Sequence, residues 1–211
     1  MNSNDVRHLI ATALAHEQNT RAMKKRLLGR GLSIELQRIT LEVVEGYLHE
    51  TPDLLDVAND AARSAGLHVL MRPLFDAAFQ YWDAGDDVIP DRLGLYGLLD
   101  DAYLTRTLLE KVAFELFSRT GRQLFAVNLA TSNSPIRDLL GPELTTELDE
   151  RVNAALSGPQ LRTFFDEMAH TEAPPLEIPL PSHGQYIGAM HEARATHEGA
   201  RVLTGVLGAL S

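Results

Sequence analysis

The sequence predicts an all-α protein, and two observations carry that reading. Apolar residues recur at three- and four-residue spacing through most of the chain, which is the period of one helix face. No run of alternating β-branched residues is present that would build a sheet. Glycine and proline punctuate the pattern and divide it into about eight helices in a single helical domain.

Ser3 or Asn4 caps a first helix that runs toward Arg26 or Gly29, where Gly29 and Gly31 stop it. Its apolar positions Leu9, Ile10, Leu14, Leu27 and Leu28 fit one helix loosely, because the middle of the stretch is polar. Ser33 opens a cleaner amphipathic helix. Leu36, Ile39, Thr40, Val43, Val44 and Tyr47 share one face, and Glu35, Arg38, Glu42 and Glu45 occupy the other. Thr51-Pro52-Asp53 has the form of a cap followed by proline at the first helical position, so a new helix is expected from about Asp53 to Ser64, stopped by Gly66. The next runs from about Leu67 to Trp82 with an aromatic face of Phe75, Phe79 and Trp82, and Pro73 inside it predicts a start or a kink.

Gly85 begins a loop, and a strongly apolar helix follows from about Leu95 to Phe117. The stretch Leu124 to Leu129 reads equally as a helix or a short strand. Ser134-Pro135 is expected to open a helix through Leu140, Glu143 one through Leu156, and Gly158-Pro159 one ending near His170. Four prolines, Pro174, Pro175, Pro179 and Pro181, make residues 171–182 an extended connector. A last helix covers about Gln185 to Leu210. The organisation expected is a helical domain over 1–170, the connector, and a C-terminal helix within 183–211.

Composition bounds the chemistry. The chain has 211 residues, 45% of them hydrophobic, enough for a sizeable core, and charged residues at 23% argue against wholesale disorder. It has no cysteine, which excludes disulfides, thiolate metal sites and cysteine nucleophiles and fits a reducing compartment. A net charge of -10 makes nucleic acid an unfavourable partner, because phosphate binding rests on clustered Lys and Arg. Residues Met1 to His8 are polar and the apolar stretch Leu9 to Ala15 is short, so no signal peptide is read. No window approaches about eighteen uninterrupted apolar residues, so no membrane span is read. The expectation is a soluble, cytoplasmic protein.

One segment carries a sharper pattern. From Tyr81 to Lys111 the chain reads YWDAGDDVIPDRLGLYGLLDDAYLTRTLLEK. An aromatic helix end at Tyr81 precedes the loop Asp87-Val88-Ile89-Pro90-Asp91, and Gly97-Leu98-Leu99-Asp100-Asp101 opens an apolar helix. In these motifs and their spacing the chain resembles the YkvA-like bacterial domain of unknown function, over roughly residues 39–112. It departs from that family at Arg92-Leu93-Gly94, where apolar residues and a proline are usual, and at Gly85, where proline is frequent. The resemblance implies an all-helical fold and brings no established activity.

The residues themselves support a structural and a functional reading, with a partner-binding surface as the third. Pro90 fixes its own φ and turns Ile89 away from helix, while Gly94 and Gly97 permit close approach or positive φ. In the structural reading, Asp87, Asp91, Asp100 and Asp101 cap helices, favour the positive end of the helix dipole, and pair with Arg72, Arg92 or Arg106. In the functional reading, the same four aspartates converge as hard oxygen ligands for Mg²⁺ or Ca²⁺. Carboxylates sharing a site repel unless a cation or an arginine neutralises them.

Other candidates are weaker. His191-Glu192 and His197-Glu198 stand six apart on the expected last helix, which turns their side chains about 120° apart, so they do not form a chelating pair. His170 and His183 flank the connector. The basic stretch Arg21, Lys24, Lys25, Arg26 and Arg30 offers a surface for an acidic partner, nucleic acid or an anionic membrane, and a cation cluster near a helix C-terminus is also what the dipole favours. No Gly-x-Ser-x-Gly and no phosphate-binding Gly-x-x-x-x-Gly-Lys occurs. Val202, Leu203, Val206, Leu207 and Leu210 among Gly205 and Gly208 suit close packing, on the chain's own core or on a partner.

The function read from the sequence is a non-enzymatic helical interaction or regulatory protein, binding another protein or a second copy of itself, with no cofactor expected. Partner contacts fall to Lys24, Lys25, Arg26 and Arg30. One alternative is a metal-dependent enzyme holding Mg²⁺ or Ca²⁺ at Asp87, Asp91, Asp100 and Asp101. The other is a peripheral membrane protein attached through the basic first helix.

Overall fold

The computed structural model describes residues 1–15, 17–29, 31–83, 88–89, 91–126, 129–172 and 178. Within them the protein is all-α: α1 (Ser3–Ala15), α2 (Glu17–Gly29), α3 (Ile34–Ser64), α4 (His68–Asp83), a 3-10 segment (Asp91–Tyr96), α5 (Gly97–Thr120), α6 (Leu129–Leu140), α7 (Pro142–Leu156) and α8 (Pro159–His170).

The helices are arranged around α5. Every residue from Gly97 to Leu109 is buried, so the first half of α5 is enclosed on all sides, as a helix without a polar face must be. It packs against α3, α4, α6, α7 and α8. The outer elements add to the N-terminal end of α5: α1 lies on α3, and α2 lies on the 3-10 segment that leads into α5, with Met23 and Leu27 fully buried. Arg7 of α1 bridges to α3, its Nη2 standing 2.6 Å from Asp53 Oδ1 and 2.5 Å from Asp56 Oδ2. One continuous hydrophobic core runs from Val6 to Ile178.

Several boundaries differ from the sequence reading. The expected first helix is two, α1 and α2. The expected helices before and after Thr51-Pro52 are one, because α3 runs through Pro52. Thr51 does not cap forward; its hydroxyl donates to the Tyr47 carbonyl one turn back, at 2.8 Å. Pro135 likewise lies inside α6, which begins at Leu129 rather than at Ser134, while Pro73 lies inside α4, within the helix expected over Leu67 to Trp82. In each case the apolar stripe continues across the proline. In α3 it runs through Tyr47, Leu48, Leu54, Leu55, Ala58 and Ala62, all buried. An interior proline costs about 3 kcal/mol, and a few buried leucines at roughly 1.5–3 kcal/mol each outweigh it.

Other signals match. Ser33 accepts the Leu36 amide at 3.4 Å as the α3 cap, and Pro159 opens α8. The ambiguous stretch is non-helical over Leu124 to Ala126. There Phe125 forms an isolated parallel bridge with Ile178, the Ile178 amide donating to the Leu124 carbonyl and the Ala126 amide to the Ile178 carbonyl, both at 2.9 Å. Ile178 is the described part of the expected extended connector beyond Glu172. The expected C-terminal helix, with His183, His191 and His197, lies outside the described residues.

Gly121 ends α5 with φ 69°, its amide donating to the Phe117 carbonyl at 2.8 Å. A Cβ added there would meet nothing within 4 Å, so substitution is opposed by the backbone alone. Gly121→Ala should therefore cost about 1–2 kcal/mol, the left-handed penalty of an L-residue, read as a lower urea midpoint at unchanged slope. Gly121→Asn should lose less.

Candidate functional site

The motif segment comes together in space. The Ile89 amide, from the Asp-Val-Ile-Pro-Asp loop, donates to Asp100 Oδ2 at 2.9 Å, and Asp100 is 1% exposed in the first turn of α5. The first and second halves of the motif are thus joined by a buried carboxylate accepting a backbone amide. Between them, Gly94 takes φ 63° and ψ −129°, a conformation that only glycine adopts without strain. Gly97 is instead the first residue of α5. Asp101 is buried beside Asp100. Asp87, Pro90 and the side chain of Asp91 lie outside the described residues, and among those that are described no grouping of three His, Asp or Glu is arranged to hold a metal ion.

Among the described residues, neither Arg72 nor Arg106 pairs with Asp100 or Asp101. Arg72 sits 3.5 Å from Asp76 on its own helix. Arg106 is 1% exposed inside the core, where its Nη1 lies 3.5 Å from Glu50 Oε2 of α3. Its Nη2 donates to Ser132 Oγ of α6 at 2.9 Å, and its guanidinium lies over the Tyr47 ring at 4.4 Å from the centroid. Burial pushes the Glu50 carboxyl above its ordinary value, and the Arg106 charge pulls it back.

A polar stripe continues along α5. Tyr47 donates its hydroxyl to Asn133 Oδ1 at 3.0 Å, and Asn133 Nδ2 donates to Glu110 Oε2 at 2.6 Å. Tyr103 donates to Asp149 Oδ1 at 3.1 Å and accepts Arg137 Nε at 2.9 Å. Burial pushes the Tyr103 phenol up to about 12. Lys111 Nζ donates to Asn153 Oδ1 at 2.9 Å. Tyr103, Arg106 and Glu110 stand at helical spacing i, i+3, i+7, which is the sequence signal that would have identified the stripe.

The second half of α5 emerges from the core. Val112 and Leu116 stay buried, while Phe114 is 71% and Phe117 56% exposed. Grooves flank this ridge. One, of about 570 Å³, is lined by Lys111, Phe114, Phe117, Leu124, Phe125 and Leu129 among others. The second, of about 490 Å³, includes Lys111, Phe114, Arg119, Leu156, Arg162 and Phe165. Arg119 lies over the Phe165 ring at 4.9 Å and pairs with Glu115 at 2.6 Å. The sequence reading placed these aromatics on an apolar helix without singling them out. Their signal is phase: they fall off the Leu109, Val112, Leu116 face.

The basic candidates lie elsewhere. Arg21, Lys24 and Lys25 are exposed on α2, while Arg30 and the side chain of Arg26 lie outside the described residues. Burial raises the Glu45 carboxyl, opposed by His49 and more weakly by Lys24, so part of this charge acts on the protein's own α3.

Two measurements test the roles assigned here. Asp100→Ala should cost about 1–3 kcal/mol, because the Ile89 amide is left buried without its acceptor, and Asp100→Asn should lose less by keeping an acceptor oxygen. Chemical denaturation ranks the two; equal stability of Asp100→Ala and wild type would remove the brace. Glu50→Gln should cost about 3 kcal/mol by leaving the Arg106 guanidinium buried without its carboxylate. The double variant Glu50→Gln/Arg106→Met should lose less than the sum of the single losses. A carboxyl whose folded pKa is raised binds its proton more tightly in the fold, so its contribution falls as pH rises above the unfolded value of about 4.3. That fall should be steeper in Arg106→Met.

No family model, curated protein or solved structure matches this chain, so the functional reading stands on the geometry above.

Proposed function

We propose that this protein is a helical interaction module whose recognition surface is the exposed face of α5, and that it acts by binding protein rather than by catalysis. The observation that carries the reading is the pair Phe114 and Phe117, two phenylalanines side by side on a rigid helix and mostly in solvent, with a groove on either side. Single exposed apolar residues are ordinary, but aromatic pairs bordered by concave surface and a charged rim have the composition of binding hot spots. Lys111, Arg119 and Arg162 supply the rim. The partner that fits is an amphipathic helix laying its apolar side along the ridge.

The YkvA-like resemblance belongs to this proposal as a statement about architecture. Asp100 and Ile89, one from each half of the motif, bond to each other, which supports reading the motif as the device that seats the start of α5. A seated α5 holds Phe114 and Phe117 in place.

A photo-crosslinking benzoylphenylalanine in place of Phe117 should form a covalent adduct with a polypeptide that abuts the ridge, identified by mass spectrometry. Phe114→Glu should abolish the adduct while shifting stability by no more than about 0.5 kcal/mol, as for a surface substitution. Absence of any polypeptide adduct, with the protein itself or with another, would sink the proposal.

A further inference from the structure

The corner between α2 and α3 carries a second exposed surface. Within α2, Met23 and Leu27 are fully buried. Arg21, Lys24, Lys25 and Leu28 are exposed and stand at i, i+3, i+4 and i+7. A step of about 100° per residue puts these four on one face, turned away from Met23 and Leu27. The helix then ends on a tight turn. Gly31 takes φ 74°, its amide donates to the Leu28 carbonyl at 2.9 Å, and the Leu32 amide donates to the Leu27 carbonyl at 3.4 Å. This is the glycine closure that lets the next element start at once. Leu32 packs on Leu36 and Ile39 of α3, which holds the corner together. Two large apolar side chains stay in solvent there, Leu28 at 65% and Ile34 at 86% exposure. Ile34 precedes the buried Leu36 by two residues, so it stands about 200° round α3 from that buried face.

We propose that this corner is a docking surface for an anionic membrane, with Arg21, Lys24 and Lys25 meeting the lipid phosphates and Leu28 and Ile34 entering the acyl boundary. Charge favours the cations and burial favours the apolar pair, and a lipid surface supplies both within a few ångströms. Any polyanion would take the cations. Nucleic acid would leave Leu28 and Ile34 in water, so these two residues select lipid. The chain as a whole carries −10. Charges more than about 8 Å from the contact are screened at physiological salt, so the local stripe decides the encounter. The acids nearest in sequence on α3 are already engaged: Glu35 pairs with Arg38 at 2.6 Å, Glu42 pairs with the same Arg38, and Lys24 is shared with Glu45. No described helix is long and apolar enough to cross a membrane, so this contact is with the surface of one leaflet. The proposal is independent of the α5 ridge, which is built from other elements.

The test floats the full-length protein with vesicles of phosphatidylcholine and phosphatidylglycerol in equal parts, and with phosphatidylcholine alone. Wild type should float with the first and not with the second. An ionic strength of about 1 M, where the Debye length falls to about 3 Å, should weaken the binding. Lys24→Gln/Lys25→Gln should lower the partition coefficient roughly twenty-five-fold, at about fivefold for each charge. Leu28→Ser/Ile34→Ser leaves the charge unchanged and should lower it at least about tenfold through lost burial. These positions are exposed, so both variants should melt close to wild type. Three results overturn the proposal. The first is no flotation with the anionic vesicles. The second is full flotation of Leu28→Ser/Ile34→Ser, which would leave charge as the whole of the contact. The third is lysine-dependent binding to duplex DNA that exceeds the binding to vesicles, which would assign the stripe to nucleic acid.

Discussion

A guanidinium in the middle of a helical core is the constraint around which this protein is arranged. Arg106 is enclosed on α5, and the desolvation of an ion there costs several kcal/mol unless other groups replace water. Two helices supply the replacements. Glu50 and Tyr47 come from α3 and Ser132 from α6, so the carboxylate, the ring face and the hydroxyl meet the cation from different sides. Those contacts form only when α3, α5 and α6 are turned to one particular register. Apolar burial holds the helices together without specifying that rotation as tightly, since leucines repack at modest cost. The hydrogen bonds of Tyr47 through Asn133 to Glu110 extend the same registration along α5.

What the sequence revealed follows from which forces are local. Ser33 at the start of α3 and Pro159 at the start of α8 act within one turn, and both are readable from neighbouring residues. The prolines at 52 and 135 were misread for the opposite reason. Their local preference is to begin a helix, but Leu48, Leu54 and Leu55 around Pro52 are buried by distant partners, and that tertiary burial exceeds the backbone cost. The polar middle of the expected first helix was a truer signal than the absence of a breaker. The chain divides there into α1, which lies on α3, and α2, which lies on the 3-10 segment.

The candidate site was less legible. The aspartates of the motif drew attention as charges, yet Asp100 is a buried acceptor for the Ile89 amide, a role set by a loop folding back on the helix start. Arg106 was expected to serve those aspartates and faces α3 instead, because position 106 is on the other side of α5 from the loop contact and Glu50 is a long-range neighbour. Phe114 and Phe117 look like core residues by composition, and only their phase sets them off the Leu109, Val112, Leu116 face. The enclosure of α5 over Gly97 to Leu109, and its release beyond, makes the same apolar helix interior at one end and surface at the other.

That division within one helix explains why an exposed aromatic pair on α5 suits recognition better than the same residues on a loop. Binding removes translational freedom and also the freedom of whatever must be ordered at the interface. The backbone beneath Phe114 and Phe117 is continuous with the turns that carry Tyr103, Arg106 and Glu110, and these are fixed by the polar stripe. Gly121 then closes α5 and turns the chain back so that Leu124 and Phe125 stand beside the ridge. Under the proposed binding role, a partner would meet a surface held in place by these contacts, and the buried charge that burdens stability would contribute the rigidity that such a role calls for.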